Sequence, residues 1–179
     1  MRIISGKWGG RRITPPSNMP HTRPTTDIAK EGLFNILQNR MDFTDCKTLD
    51  LFAGTGCISY ELASRGANDL TLIEKDSVMS AFIKKNMETL GIENCKLLKM
   101  DVFNYLNTCT DTFDFIFAGP PYALGPIDEL PKIIVQKKLI NKDGYFVLEH
   151  TPRNKYESFE GFSFVRNYGT TLFSFFTNG

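Results

Sequence analysis

The stretch Lys47-Thr48-Leu49-Asp50-Leu51-Phe52-Ala53-Gly54-Thr55-Gly56-Cys57-Ile58-Ser59 decides how the rest of the chain is read. Lys47 to Phe52 reads as a strand, Gly54 and Gly56 end it, and Ile58, Leu62 and Ala63 mark one face of a following helix. Two glycines at such a junction let the backbone turn sharply and approach a ligand with no side chain in the way.

Working outward from this turn, the same alternation repeats. Asp69 to Ile73 predicts a second strand, and Ser77 to Leu90 a helix that Gly91 ends as a C-cap. Lys96 to Lys99 and the apolar run Phe113 to Ala118 follow as strands, the latter broken by Gly119-Pro120-Pro121. A helix over 127–138 leads to a strand from Tyr145 to Glu149, and two aromatic-rich runs, Phe162 to Tyr168 and Thr171 to Phe176, predict a hairpin turning at Gly169. Strands alternating with helices imply an α/β, Rossmann-like domain with a mainly parallel sheet covered on both faces. Upstream, Gly9-Gly10, Pro15-Pro16, Pro20 and Pro24 prohibit long regular structure until a helix opens at Thr26 or Asp27. Residues 1–179 thus form one domain, with 1–25 an extended arm and 26–46 a docking helix region.

A chain of 179 residues that is 41% hydrophobic can bury one sizeable core. The net charge of +1 neither demands nor excludes a nucleic-acid partner, but its distribution is uneven. Residues 1–30 carry Arg2, Lys7, Arg11, Arg12, Arg23 and Lys30 against the single acid Asp27, which predicts a phosphate-facing arm. Cys46, Cys57, Cys95 and Cys109 have no CxxC spacing, and His21 and His150 are the only histidines, so no zinc site is expected. With no signal peptide at the start and no apolar run of membrane-spanning length, free thiols in a reducing cytoplasm are expected.

The glycine turn alone would suit a dinucleotide as well as other nucleosides, and Ser59 at the third small position leaves that open. Asp50 discriminates. Four residues before Gly54, it would repel a pyrophosphate but receive a cationic amino-acid group, which S-adenosylmethionine carries. Glu74, at the end of the second strand and followed by Lys75, is placed for ribose hydroxyls; Asp101 is placed for an adenine amino group, with Val102 against the ring. Any one of these acids could be only a helix cap. Three acids at three consecutive strand ends favour a cofactor edge formed with Phe52, Ala53, Gly54, Thr55 and Gly56.

At the end of the fourth predicted strand, Ala118-Gly119-Pro120-Pro121-Tyr122 resembles the Asp-Pro-Pro-Tyr or Asn-Pro-Pro-Tyr motif of amino-methylating nucleic-acid methyltransferases. There a side-chain oxygen and a backbone carbonyl accept the hydrogens of an exocyclic amine, while the aromatic ring stacks on a flipped base. Together with Arg2-Ile3-Ile4-Ser5-Gly6-Lys7-Trp8, Arg11, Arg23-Pro24-Thr25-Thr26-Asp27, Glu31, Leu33-Phe34-Asn35, the Asp50 to Gly56 loop, Ser64-Arg65-Gly66-Ala67 and Tyr168-Gly169, the chain resembles the RsmD family nearly end to end. The resemblance implies transfer of a methyl group to a guanine exocyclic amine of bacterial 16S ribosomal RNA in an assembling small subunit, by a monomer that needs no metal. It also implies a seven-stranded sheet of order 3-2-1-4-5-7-6, RNA contacts from Arg2, Lys7, Arg11, Arg12 and Arg23, and closure of the Thr25 segment over the site.

One position departs from the family: Gly119 stands where it has aspartate. Losing one positioned acceptor costs roughly a hundredfold in rate. With Phe117, Ala118, Pro120, Pro121 and Tyr122 intact around it, Gly119 reads as an isolated replacement, and Gly119→Asp is expected to raise methyl transfer. A weakened or silent cofactor-binding RNA protein stays open, as does an amino-methyltransferase acting on DNA adenine or protein glutamine. Glu149 and His150 read as strand-end residues rather than an acid–base pair, and Trp8 as either a stacking platform or an anchor for the arm.

Overall fold

The computed structural model describes residues 1–19 and 24–178. Its seven strands, β1 (Lys47–Leu51), β2 (Asp69–Ile73), β3 (Cys95–Leu98), β4 (Phe113–Ala118), β5 (Ile140–His150), β6 (Phe162–Tyr168) and β7 (Thr171–Phe176), form one sheet in the order β3-β2-β1-β4-β5-β7-β6. The first five are parallel, and β7 pairs antiparallel with both β5 and β6. This is the Rossmann-like arrangement expected from the alternation, and the aromatic tail makes the antiparallel edge.

Period-two alternation divides the core. Phe115, Phe117, Val147, Phe173 and Phe175 pack on one face with α1 (Asp27–Leu37), α2 (Cys57–Ser64) and α3 (Ser77–Leu90). Ile116, Ala118, Phe146, Leu148 and Phe176 pack on the other with α4 (Val102–Thr108) and α5 (Glu129–Gln136). Thr26 caps α1 by accepting from Ala29 N, and Asp76 caps α3 by accepting from Met79 N. The predicted C-cap Gly91 is left-handed at φ 71°.

Three differences from the sequence reading have physical causes. Helix α4 escapes that reading, because seven residues around one polar turn carry too little periodicity. Strand β5 begins at Ile140, five residues before the predicted start: a register shift against β4 and a left-handed Asp143 hide its first half, where Gly144 passes close to the Asp114 carbonyl. The predicted extended arm instead folds back on itself through an antiparallel bridge between Arg2 and Arg12, with Ile3 and Ile13 buried.

That folded arm lies on α2. The Ile4 and Ser5 amides donate to the buried Glu61 carboxylate at 2.8 and 3.1 Å, and Trp8 N donates to Ser64 Oγ. A β-carbon on Gly6 would stand 1.9 Å from the Ser64 carbonyl oxygen, so only glycine permits this approach. Lys30, expected among the phosphate-facing charges, is buried: it donates to the Arg2 carbonyl and lies 3.8 Å from Glu61. Its charge is spent inside the protein.

Candidate active site

The carboxyl ends of β1, β2 and β4, with the loop after β3, open onto one cavity of about 370 Å³. Parallel strands place all their carboxyl ends on one side, so residues far apart in sequence meet there. Asp50, Phe52, Ala53, Gly54, Thr55, Glu74, Lys75, Asp101 and Val102 line it, facing Gly119, Pro120, Pro121 and Tyr122. Thr25 and Pro24 complete the wall from the segment before α1.

Asp50 is buried at the end of β1 and accepts from Ser59 Oγ at 2.8 Å. Burial pushes its carboxyl up to about 7, with Glu74 adding in the same direction and the Ser59 bond opposing. A cationic group entering the cavity would reverse that balance. Glu74 holds the glycine turn in shape: Oε2 accepts from Gly54 N at 2.8 Å and Oε1 from Asp76 N at 2.9 Å. Its carboxylate oxygens have further lone pairs for ribose hydroxyls. Phe52 adopts φ 58°, a left-handed conformation that a non-glycine residue holds only under the constraint of its surroundings.

Asp101 is both the helix cap and a wall of the cavity. Its Oδ1 accepts from Phe103 N and Asn104 N, fixing the start of α4, and Val102 lies beside it. Capping and cofactor binding are therefore compatible at this residue. Ammonium, ribose and adenine of S-adenosylmethionine match three acids set along one apolar-floored cavity, whose other lining includes Ile58, Ile73 and Met100.

Gly56 sits between the lining residues Thr55 and Cys57 and is not itself in the cavity wall; its φ of 80° opens α2, and a β-carbon there would meet the Tyr60 ring at 2.7 Å. Packing beneath the turn is one reason for this glycine. Of the expected RNA contacts, Thr25 lines the cavity, whereas Arg2, Lys7, Arg11 and Arg12 are exposed on the arm away from its wall. Arg23 lies outside the described residues. Trp8 is an anchor, packed against the core with Lys7 5.0 Å from its ring.

Glu149 is buried beside the cavity and accepts from Thr25 Oγ1 at 2.5 Å and from Tyr122 Oη at 3.4 Å. Its neighbour His150 points to the opposite face of β5, where its ring nitrogens meet the Thr151 carbonyl and Ser174 Oγ. Burial lowers the His150 pKa. The pair is thus divided by the sheet. Sequence reasoning missed the link from Glu149 to Tyr122 and Thr25, because the signal lies in the pairing of Ala118 with Leu148 and not in local sequence.

Comparison with known proteins agrees with this geometry. The family model described as Conserved hypothetical protein 95 matches residues 1–177. The ribosomal RNA small subunit methyltransferase D of Escherichia coli K12 is 32% identical over 154 residues, covering 86% of this chain and 76% of that protein. Its counterpart from Buchnera aphidicola of Acyrthosiphon pisum is 34% identical over 148 residues, 82% and 76% of the two chains. Among solved structures, a hypothetical protein of Thermus thermophilus superposes with a TM-score of 0.86 at 26% identity over 99% of both chains. The chain therefore belongs to the RsmD family, the family of Conserved hypothetical protein 95, whose members are S-adenosylmethionine-dependent methyltransferases.

Proposed function

We propose that this protein methylates the exocyclic amine of a guanine in 16S ribosomal RNA, acting as a monomer on an assembling small subunit in the cytoplasm. One observation carries the reading: Gly119-Pro120-Pro121-Tyr122 faces the acids of Asp50, Glu74 and Asp101 across a single cavity, with Tyr122 37% exposed at its mouth. An aromatic ring partly open to solvent beside a cofactor cavity suits a base that is flipped in and stacked. The names of the curated relatives point to the same substrate class.

When bound, S-adenosylmethionine supplies a methyl carbon carried on a cationic sulfur. The chain's residues do the rest by placement. Asp50 receives the ammonium, Glu74 the ribose hydroxyls, and Asp101 with Val102 the adenine. The Pro120 carbonyl accepts a hydrogen of the amine, and Tyr122 holds the base plane. Arg2, Lys7, Arg11 and Arg12, exposed outside the cavity wall, contact phosphates, and Arg23 is assigned the same role from the sequence.

The test is transfer of labelled methyl groups to undermethylated small-subunit particles and to their naked 16S RNA, followed by mapping of the modified nucleotide. Label on the 2-amino group of one guanine is the expected result. Label appearing only on DNA adenine or on a glutamine-containing peptide, offered in parallel, would overturn the RNA assignment.

A further inference from the structure

We infer that the groove between α1 and β6, walled by Arg40 and Arg166, binds the phosphodiester backbone of the RNA strand beside the base held in the cavity. The inference rests on the RNA methylation proposed above and adds a second contact surface, separate from the N-terminal arm.

Strand alternation builds the groove. Phe164, Arg166 and Tyr168 share one face of β6, and Phe164 and Tyr168 pack against the core on the α1 side. Helix α1 comes this close because residue 32 is glycine; a β-carbon there would run into the Tyr168 ring. What remains is a shallow groove of about 430 Å³ lined by Asn35, Asn39, Arg40, Arg166 and Tyr168.

The Phe164 ring is stacked on Phe175, with centroids 4.2 Å apart. The guanidiniums of Arg40 and Arg166 lie 4.5 and 4.7 Å from the centre of the same Phe164 ring. Two exposed arginines are thus held near one another. Among the described residues no carboxylate pairs with either and no acid lines the groove; Asp42 lines the adjoining cleft instead. The contrast is Arg65, which donates to the buried Glu61 at 2.9 Å. Charge on an edge strand also discourages pairing with another chain, but Arg40 lies outside β6 and that role does not need it. Like charges side by side repel, and an anion placed between them removes the repulsion. Arg166 gives an N–H to the Val165 carbonyl, which leaves most of its five donors for a bidentate contact with phosphate.

Position in the sheet identifies the anion. Arg166 pairs with Phe173, Phe173 with Glu149, and Leu148 before Glu149 with Ala118 before Gly119. Arg166 therefore stands in the row that ends at the cavity, three strand spacings from Gly119, about 14 Å at roughly 4.8 Å each. A free phosphate would occupy one place only. A polymer with a phosphate at every residue can lay its backbone in the groove while one of its bases enters the cavity. Asn35 and Asn39 add amide groups suited to ribose 2′-hydroxyls.

The test compares the parent with two full-length double variants, Arg40→Gln with Arg166→Gln and Arg40→Lys with Arg166→Lys. For naked 16S RNA, the slope of log affinity against log salt should be shallower by about 1.5 in the Gln protein, the release expected for two phosphate contacts. The Lys protein keeps both charges and should keep the slope, a rescue that loss of packing alone would not allow. In methyl transfer to undermethylated particles the Gln protein should lose at least about tenfold in kcat/KM through KM, with kcat within about twofold. Cofactor affinity by calorimetry should match the parent. Thermal unfolding checks the fold; if the double Gln protein unfolds early, Arg166→Gln alone should show about half the change in slope.

Polyglutamate serves as a competing anion. If it binds the parent as tightly as RNA and weakens equally in the Gln protein, the groove takes an acidic polypeptide and the inference fails. A folded Gln protein with the parental slope and KM overturns the inference and leaves the methylation standing. Absence of methyl transfer by the parent overturns the methylation, and the salt slope still decides the groove.

Discussion

With Asp50 receiving the ammonium as proposed, a single carboxylate sets both an affinity and a pH dependence. Its pKa, pushed up to about 7 by burial, means that near neutral pH a substantial fraction is protonated in the protein alone. The cofactor's ammonium pairs with the ionised form and itself loses its proton near pH 8, so affinity should rise from about pH 5 to about pH 7, and calorimetry at those pH values should show the slope. Asp50→Asn should bind at least about tenfold more weakly and lose the slope; an unchanged slope would count against Asp50 as the ammonium partner. Stability runs the other way. The folded pKa lies above the ordinary 3.8, so Asp50 favours folding at low pH, and this contribution disappears as pH rises from about 4 through about 7. Asp50→Asn should flatten that part of the stability profile. At Gly56 the demand is steric: Gly56→Ala should cost about 1–3 kcal/mol in urea unfolding, from positive φ and the clash with Tyr60.

At the scale of elements, the arm and α2 are one unit. All eight residues of α2 are buried, including the polar Ser59, Glu61 and Ser64, because the arm covers the face that would otherwise meet water. Glu61 joins them, accepting from Ile4 N, Ser5 N and Arg65 Nε with Lys30 nearby. Glu61→Ala should cost about 3–5 kcal/mol, since it leaves Lys30 as a buried charge without its acid. Limited proteolysis should then cut within 1–19 at protease levels that leave the parent intact. The sequence made β2, β4, α3 and the final hairpin legible to the residue, because apolar runs and glycine stops coincide there. It did not reveal the folded arm: the partners of Ile4 and Ser5 lie 57 and 56 positions away, and local composition carries no trace of them. For the same reason Lys30 looked like a surface charge.

Over the whole molecule, Arg11 and Arg12 are exposed and do not line the cavity, and the proposed function gives them RNA affinity rather than chemistry. Replacing both by Ala should reduce the slope of log affinity against log salt by about 1.5, the release expected for two phosphate contacts, with cofactor affinity unchanged. Filter binding at several salt concentrations measures it. The three acids that line the cavity were readable because each lies at or just after a strand end, and open α/β sheets gather those ends. The contacts of Glu149 with Thr25 and Tyr122 were not, since they arise only when β4 and β5 pair. The bond from Thr25 to Glu149 spans 124 positions and also constrains the order of assembly. As the chain leaves the ribosome from its N-terminus, β1, the glycine turn and β2 can form long before β5 exists. The wall contributed by Thr25 must wait for its anchor. A nascent chain can therefore shape the cofactor edge early, but it completes the substrate side only when synthesis has passed residue 149.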